Sequence, residues 1–391
     1  RPTPIPLREP RIERVLGTRL ATKDIEDILK RLGMRIEANK QGWKVTAPLF
    51  RFDMAIEEDL IEELARIYGY NNLPLDRPSA PLMLQPLPET VVNLRRIRHL
   101  LSDLGYQESI TYSFVDKQVL DIIEPNMQGV LLANPISSDM AIMRTSLWPG
   151  LIQVAQFNLH RQQNRLFLFE CGLKFVQQGS DLNQEMTLAG LLTGERMLPS
   201  WDQAVSSVDF YDMKGHLESL FELSACSESF KFVAETHPAL HPGQSARIYR
   251  EDQAIGWVGL IHPKVAKQLD LDHTMYLFEL KADSLQKGRL PEFEAVSKFP
   301  MIRRDISIVV DQAVTADNVR ETIRKAAPGT LKKIELFDMY MGEGIDSGRK
   351  SLSLGLILQD ISRTLTDSEI EQVMQRVIEQ LRGDLGATQR Q

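Results

Sequence analysis

Cysteine is nearly missing from these 391 residues: Cys171 and Cys226 are the only two. They stand far apart with no CxxC spacing, which excludes a disulfide framework and a zinc knuckle and fits a reducing compartment. Long apolar runs are missing as well. None approaches the ~18 residues that a membrane span needs, and the opening RPTPIPLREP lacks the basic-then-apolar order of a signal peptide. The cytoplasm is therefore the expected location, with no membrane partner. Position 1 is not Met and the opening reads as a Pro-rich connection, so a longer parent protein is expected. No nucleophile elbow, Walker A loop, HExxH or kinase motif occurs. A surplus of positive charge is also lacking, and a net charge of −7 speaks against a dedicated nucleic-acid binder.

What is present is an ordinary globular composition, 43% hydrophobic and 25% charged, in a chain long enough for about two or three domains. The charge is unevenly spread. From Lys298 onward there are 14 Lys and Arg against 14 Asp and Glu, so all of the excess acid lies upstream. If any part touches RNA, the last ~90 residues suit it better.

Three segments follow from the local patterns, together an α+β protein. Residues 1–75 read as a small α+β module. Thr22 can cap a helix carrying Ile25, Ile28, Leu29 and Leu32, which Gly33 can end. RIEA, NKQG and WKVTA read as strand, turn and strand, and a second helix follows. Pro74, Pro78, Pro81, Pro86 and Pro88 then mark a linker. Residues 76–296 alternate helical patterns with strand-like runs such as RLFLFECGLKFV and QAIGWVGLIH, which predicts an antiparallel sheet with flanking helices. Residues 297–391 give strand, helix, strand, strand, helix and short strand, the ferredoxin-like βαββαβ order, with Thr315 and Thr366 as N-caps. The glycines of GEGIDSG miss the GxGxxG spacing, which leaves a hairpin loop.

Two clusters invite a chemical reading. His237, His241 and His262 are each followed by proline, so structural turns suit them better than a metal site. Cys171, in an apolar run, reads as a small buried side chain. The stretch RFDMAIEEDLIEELARIYGY is more pointed, with six acids between Asp53 and Glu63. At about 100° per residue, Asp59, Glu62 and Glu63 share one helical face, and Asp53 lies near the helix start. Such crowding is a solvated face, with Arg66 paired to Glu62 and Asp53 as a cap, or else an oxygen-ligand site for a hard cation such as Mg²⁺.

PLFRFDMAIEEDLIEELARIYGYNNLP resembles a stretch of bacterial phenylalanine–tRNA ligase beta subunits. NPISSDMAIMRTSLWPGLIQVAQFNLHRQQNRLFLFECGLKF and LHPGQSARIYREDQAIGWVGLIHP resemble the synthetase-like core of that subunit, and SKFPMIRRDISIVVD resembles the start of its ferredoxin-fold anticodon-binding domain. The resemblance runs in order along nearly the whole chain. It implies an (αβ)₂ heterotetramer that uses ATP to attach phenylalanine to tRNA(Phe), with ATP bound and the chemistry done by the alpha subunit. Residues 76–296 would be a catalytically inactive class II synthetase-like core; they carry no GxGxxR-like or FRxE-like segment to clamp a triphosphate. An editing domain would precede this region, so no editing is assigned to it. The resemblance further implies a Mg²⁺ ion shared with the alpha subunit and bound by Asp53, Asp59, Glu62 and Glu63, leaving Glu57 and Glu58 as solvated surface.

For the last domain the resemblance implies contact with the tRNA anticodon region. Arg303, Arg304, Lys332, Lys333, Arg349 and Lys350 suit phosphates, and Phe337 or Tyr340 suits base stacking. Strict alternation in IELFDMYM would put those two rings on opposite faces, one of them in the core. A free-standing RNA-binding module and a self-sufficient ligase are the competing readings.

Overall fold

A computed structural model describes residues 3–390 except 76, 78, 84, 85, 87, 180 and 294. The chain divides into two compact units, Arg1–Pro86 and Leu87–Gln391. Among the described residues no helix is long and apolar enough to cross a membrane.

The first unit is a three-stranded antiparallel sheet in the order β1-β3-β2, with β1 at Ile5–Arg8, β2 at Arg35–Asn39 and β3 at Gly42–Thr46. Three helices cover it: α1 (Glu9–Leu16), α2 (Thr22–Arg31) and α3 (Glu57–Tyr68). Their apolar stripes meet around Leu7, Ile12, Leu29, Val45, Leu60 and Leu64. The prolines at the start do not make a bare connection. Pro6 sits on an edge strand, and Pro10 lies in the first turn of α1, two places that tolerate a missing N–H. Thr22 is the first residue of α2 rather than its cap; Ala21 holds the cap position without a side-chain bond. Gly33, just past the helix, takes φ +77, the left-handed conformation that lets the chain turn back. Pro74, Pro81, Pro86 and Pro88 lie outside every helix and strand, and Pro78 is outside the described residues.

The second unit begins with α4 (Leu94–Asp103), β4 (Gln107–Glu108), β5 (Phe114–Val115), α5 (Lys117–Ile123), β6 (Ile142–Met143) and α6 (Trp148–Leu159). Two long strands, β7 (Leu166–Gln178) and β8 (Asp181–Thr193), lead to α7 (Phe210–Glu222). After them come β9 (Phe230–Ala234), β10 (Leu240–Arg250), β11 (Gln253–Ile261), α8 (Pro263–Gln268), β12 (Met275–Lys281) and α9 (Ala282–Gln286). Seven strands form one sheet in the order β4-β7-β8-β12-β11-β10-β9, antiparallel except for β4 with β7. Period-2 alternation builds both faces. Phe167, Phe169, Leu188 and Phe278 pack with residues of α4 and α7 such as Ile97, Met213 and Leu217. Leu166, Leu168, Leu191 and Leu277 pack with Trp148, Leu151 and Ile152 of α6. RLFLFE is apolar at every position but its ends because both faces are covered.

The C-terminal part consists of β13 (Ile302–Asp311), α10 (Ala316–Ala326), β14 (Leu331–Tyr340), β15 (Arg349–Leu358), α11 (Asp367–Leu385) and β16 (Thr388–Gln389). The sheet order β14-β15-β13-β16 with two helices is the predicted ferredoxin-like arrangement. Thr315 accepts the Asn318 N–H and caps α10. At α11, Glu369 reaches back to the backbone N–H and hydroxyl of Thr366. Ile306, Ile308 and Val310 of β13 and Leu352, Leu354 and Leu356 of β15 face the two helices. The alternate residues of these strands make the other face, which among the described residues no helix of the domain covers.

Candidate functional sites

The acidic helix α3 is folded around internal cations. Arg51, in the irregular segment ahead of it, forks onto Asp53 at 2.7 Å and reaches the buried Glu63 at 3.2 Å. Arg66 grips the other oxygen of Glu63 at 2.6 Å, so its partner is the i−3 acid rather than Glu62. Arg66 first, then Arg51, holds the Glu63 carboxyl below its usual pKa against the opposing effect of burial. Arg51 does the same for Asp53. Asp59, not Asp53, closes the helix start: it accepts the backbone N–H groups of Ala55 and Ile56 at 2.7 and 2.8 Å, the role of an N3 carboxylate in a capping box. Glu62 is exposed.

The expectation that Glu57 and Glu58 are merely solvated is corrected. Glu57 is buried and receives the Arg8 backbone N–H at 2.7 Å and its guanidinium at 2.6 Å, while Glu58 accepts from Arg11 at 2.8 Å. These contacts tie α3 to β1 and α1 across 47 to 49 residues of sequence. Oxygen donors are the right chemistry for a hard cation, yet their arrangement does not hold one as it stands. Arg51 lies between two of the four predicted ligands and Asp59 is engaged with backbone. Among the described residues no three His, Cys, Asp or Glu side chains are grouped to share an ion. Beside this cluster Leu49, Phe50 and Phe52 stand out into solvent, Phe52 at 94% exposure.

The open face of the C-terminal sheet is the second site. Arg303, Asp305 and Ser307 of β13 lie in register with Ile357, Gly355 and Ser353 of β15, and Lys333, Glu335 and Asp338 of β14 continue those rows. A β-bulge between Leu336 and Asp338 makes Phe337 an extra residue, and the alternation beyond it is reset. The prediction that Phe337 and Tyr340 face opposite sides, with one in the core, is therefore wrong. Both are on the open face, 53% and 38% exposed. The Arg303 guanidinium lies 5.4 Å from the Phe337 ring centroid, and that of Arg390 lies 5.4 Å from that of Tyr340, within cation–π range. Arg390 escaped the sequence reading. The pairing of β16 with β13, continued by the Arg390 N–H to the Ser307 carbonyl, carries it onto this face.

The six basic residues expected to meet RNA do not form one patch. Arg303 and Lys333 share Glu335 on the open face, at 3.2 and 2.7 Å, and Arg303 also holds Asp305 at 2.8 Å. Arg304 points the other way, toward Asp367 at the start of α11. Arg349 and Lys350 donate to the backbone carbonyls of Val309 and Gln312 at one end of the sheet. Lys332 is exposed on β14.

Other titratable groups have structural partners. His237 Nδ1 accepts the Ala239 N–H, His241 that of Gly243, and His262 that of Lys264 at the start of α8. The three make turns, as expected. Burial pushes the Cys171 thiol up in pKa, which leaves it a poor nucleophile. Inside the core sheet Arg144 meets Glu170 at 2.7 Å, with both side chains almost fully covered. Lys174 binds Glu279 at 3.0 Å and Glu185 at 3.3 Å. Burial works against the Lys174 charge, but the two carboxylates outweigh it and raise its pKa. Both cations of this strip are thus satisfied from within.

The three parts of the chain match three domain families of tRNA synthetases. The tRNA synthetase B5 domain matches residues 5–70, and the ferredoxin-fold anticodon binding domain matches residues 297–390. The Phenylalanyl tRNA synthetase beta chain CLM domain matches residues 73–282, more than half of the chain. This chain belongs to the phenylalanyl-tRNA synthetase beta chain family. It is 46% identical over 385 residues to the phenylalanine–tRNA ligase beta subunit of Hahella chejuensis, covering 98% of this chain and 48% of that protein. The corresponding subunit of Pseudomonas fluorescens is 45% identical over 388 residues, covering 99% and 49%. The chain thus spans about half the length of the curated relatives it matches. Among solved structures, pyrrolysyl-tRNA synthetase from Desulfitobacterium hafniense aligns over 49% of this chain and 67% of its own at 14% identity and a TM-score of 0.37, too slight a likeness to build on.

Proposed function

We propose that this chain is the alpha-facing and tRNA-binding portion of a phenylalanine–tRNA ligase beta subunit, acting in the cytoplasm. Similarity to named beta subunits over 98–99% of the chain carries the reading. The adenylation of phenylalanine with ATP and its transfer to tRNA are assigned to the alpha subunit of an (αβ)₂ assembly. The internally neutralised Arg144 and Lys174 agree with a core that does not itself clamp a triphosphate. The exposed Leu49, Phe50 and Phe52 beside the acidic helix give an apolar surface for that subunit, since contiguous exposed apolar groups favour a partner. Asp53, Asp59, Glu62 and Glu63 remain the proposed ligands of a shared Mg²⁺ ion, which in this chain has to take the place of Arg51.

The open face of the C-terminal sheet is the proposed RNA interface. Phe337 and Tyr340 offer stacking surfaces for unpaired bases, and Arg303 and Arg390 add positive charge over the rings. This assignment replaces an even spread over six basic residues with a face built on Arg303, Lys333, Phe337, Tyr340 and Arg390. Co-purification of the chain with an alpha subunit, followed by aminoacylation with and without it, tests the reading. Joint elution and phenylalanylation that depends on the chain are expected. An RNA-binding module acting without a synthetase partner would bind tRNA yet leave the alpha subunit in a separate fraction.

A further inference from the structure

Arg51 stands between two of the carboxylates proposed to hold a divalent ion. Arg51 Nη2 lies 2.7 Å from Asp53 Oδ2 and 3.2 Å from Glu63 Oε1, so one guanidinium occupies the space that links a loop carboxylate to a helix carboxylate. Its side chain is 22% exposed and that of Glu63 is 8% exposed, which makes this a largely covered contact that salt screens weakly. The charges are closely matched. Arg51 and Arg66 balance Asp53 and Glu63, leaving Asp59 anchored by two backbone N–H groups and Glu62 in solvent. A divalent ion entering among these carboxylates with Arg51 in place would meet a fixed positive charge at contact distance, and like charges repel strongly there. The segment that carries Arg51 is irregular: residues 47–56 form no helix or strand, and the Arg51 backbone N–H is held in a turn to Pro48, so no helical or sheet hydrogen bond fixes the side chain's starting point.

We propose that Arg51 is a built-in substitute cation: guanidinium pairing and divalent-ion binding at Asp53 and Glu63 exclude one another. The chain alone keeps its acidic helix closed on arginine, and a metal ion gains the site only by expelling that side chain. The neighbouring Phe50 and Phe52, both exposed, place Arg51 inside the apolar surface assigned to the partner subunit, so covering that surface and exchanging the cation involve the same short segment. This inference rests on the proposed magnesium ligands, and its test separates the two.

Mn²⁺ is titrated into the 391-residue chain, with free ion followed by electron paramagnetic resonance and Mg²⁺ used to displace it. Wild type is compared with Arg51→Gln, Arg51→Lys and Arg51→Gln combined with Glu63→Gln, each checked for folding by circular dichroism. Arg51→Gln is expected to bind Mn²⁺ at least ten-fold more tightly than wild type. Arg51→Lys, which keeps the charge without the fork, should fall between them, and the added Glu63→Gln should remove the gain. Equal affinity in wild type and the Arg51 variants overturns the exchange while leaving the metal ligands standing. No uptake by any variant overturns both. If Arg51→Gln fails to fold, Arg51→Lys decides alone: a few-fold gain supports the exchange and no gain overturns it.

Discussion

The acidic helix and the open sheet face both rest on arginine, and they use it in opposite ways. Around α3, Arg51 and Arg66 are turned inward onto Asp53 and Glu63 and cancel charge that the sequence shows in excess. On the C-terminal sheet, Arg303 and Arg390 lie across Phe337 and Tyr340 and leave rings and charge turned outward. The first arrangement suits a surface that stays closed until a partner or ion reorganises it, and the second suits a surface ready to receive a polyanion with stackable bases. A count of charges gives neither answer: the acid-rich region hides its cations, and the neutral domain displays some of its own.

The contrast breaks most visibly if the C-terminal part is removed. Deleting residues 298–391 should abolish tRNA binding while leaving phenylalanine adenylation by the assembled enzyme intact, measured by filter binding and pyrophosphate exchange. Retained tRNA affinity would move the RNA interface elsewhere. A finer cut is Tyr340→Ala or Phe337→Ala, each expected to weaken tRNA binding by about 1–3 kcal/mol if a base stacks there, roughly five-fold to a hundred-fold. Arg304→Ala, on the other face, should have a smaller effect than Arg390→Ala in the same assay.

On the acidic side, Glu63→Ala removes the acceptor that Arg51 and Arg66 share while Arg51 keeps Asp53, and should lower stability by about 1 kcal/mol in urea unfolding. Asp59 separates capping from charge. Asp59→Ala loses the helix start, at about 1 kcal/mol, whereas Asp59→Asn keeps an acceptor there and should weaken only association with the alpha subunit, seen by co-purification. The smallest effect is in pH. Glu63, Asp53 and Glu57 have folded pKa values depressed below their unfolded ones. Their stabilisation is fully present above the unfolded value of about 4 and is lost as pH falls through the folded values. Unfolding midpoints should therefore be flat near neutrality and drop in acid, and less steeply in Glu63→Gln.

How much of this was legible in the sequence follows the range of the interactions involved. The C-terminal βαββαβ order could be read because ISIVV and SLSLGLIL alternate and both helices begin at threonine. The long core strands could be read because they are apolar on both faces. The bulge at Phe337 could not, since one extra residue in a strand changes no periodicity that a short run reveals, and it reversed the facing of Tyr340. Nor could the partners of the acids. Arg8 and Glu57 are 49 residues apart, and Glu63 is shared by Arg66 at i+3 and Arg51 at i−12, the second of which the fold supplies rather than helical spacing. Thr22 illustrates the ordinary uncertainty of helix ends by one residue.

The central claim, that this chain serves a phenylalanine–tRNA ligase without performing its chemistry, meets its most direct test in phenylalanine-dependent ATP–pyrophosphate exchange, run on the chain alone and after addition of an alpha subunit. The account predicts no exchange by the chain alone, and exchange in a fraction where the two elute together. Exchange catalysed by the isolated chain would contradict it.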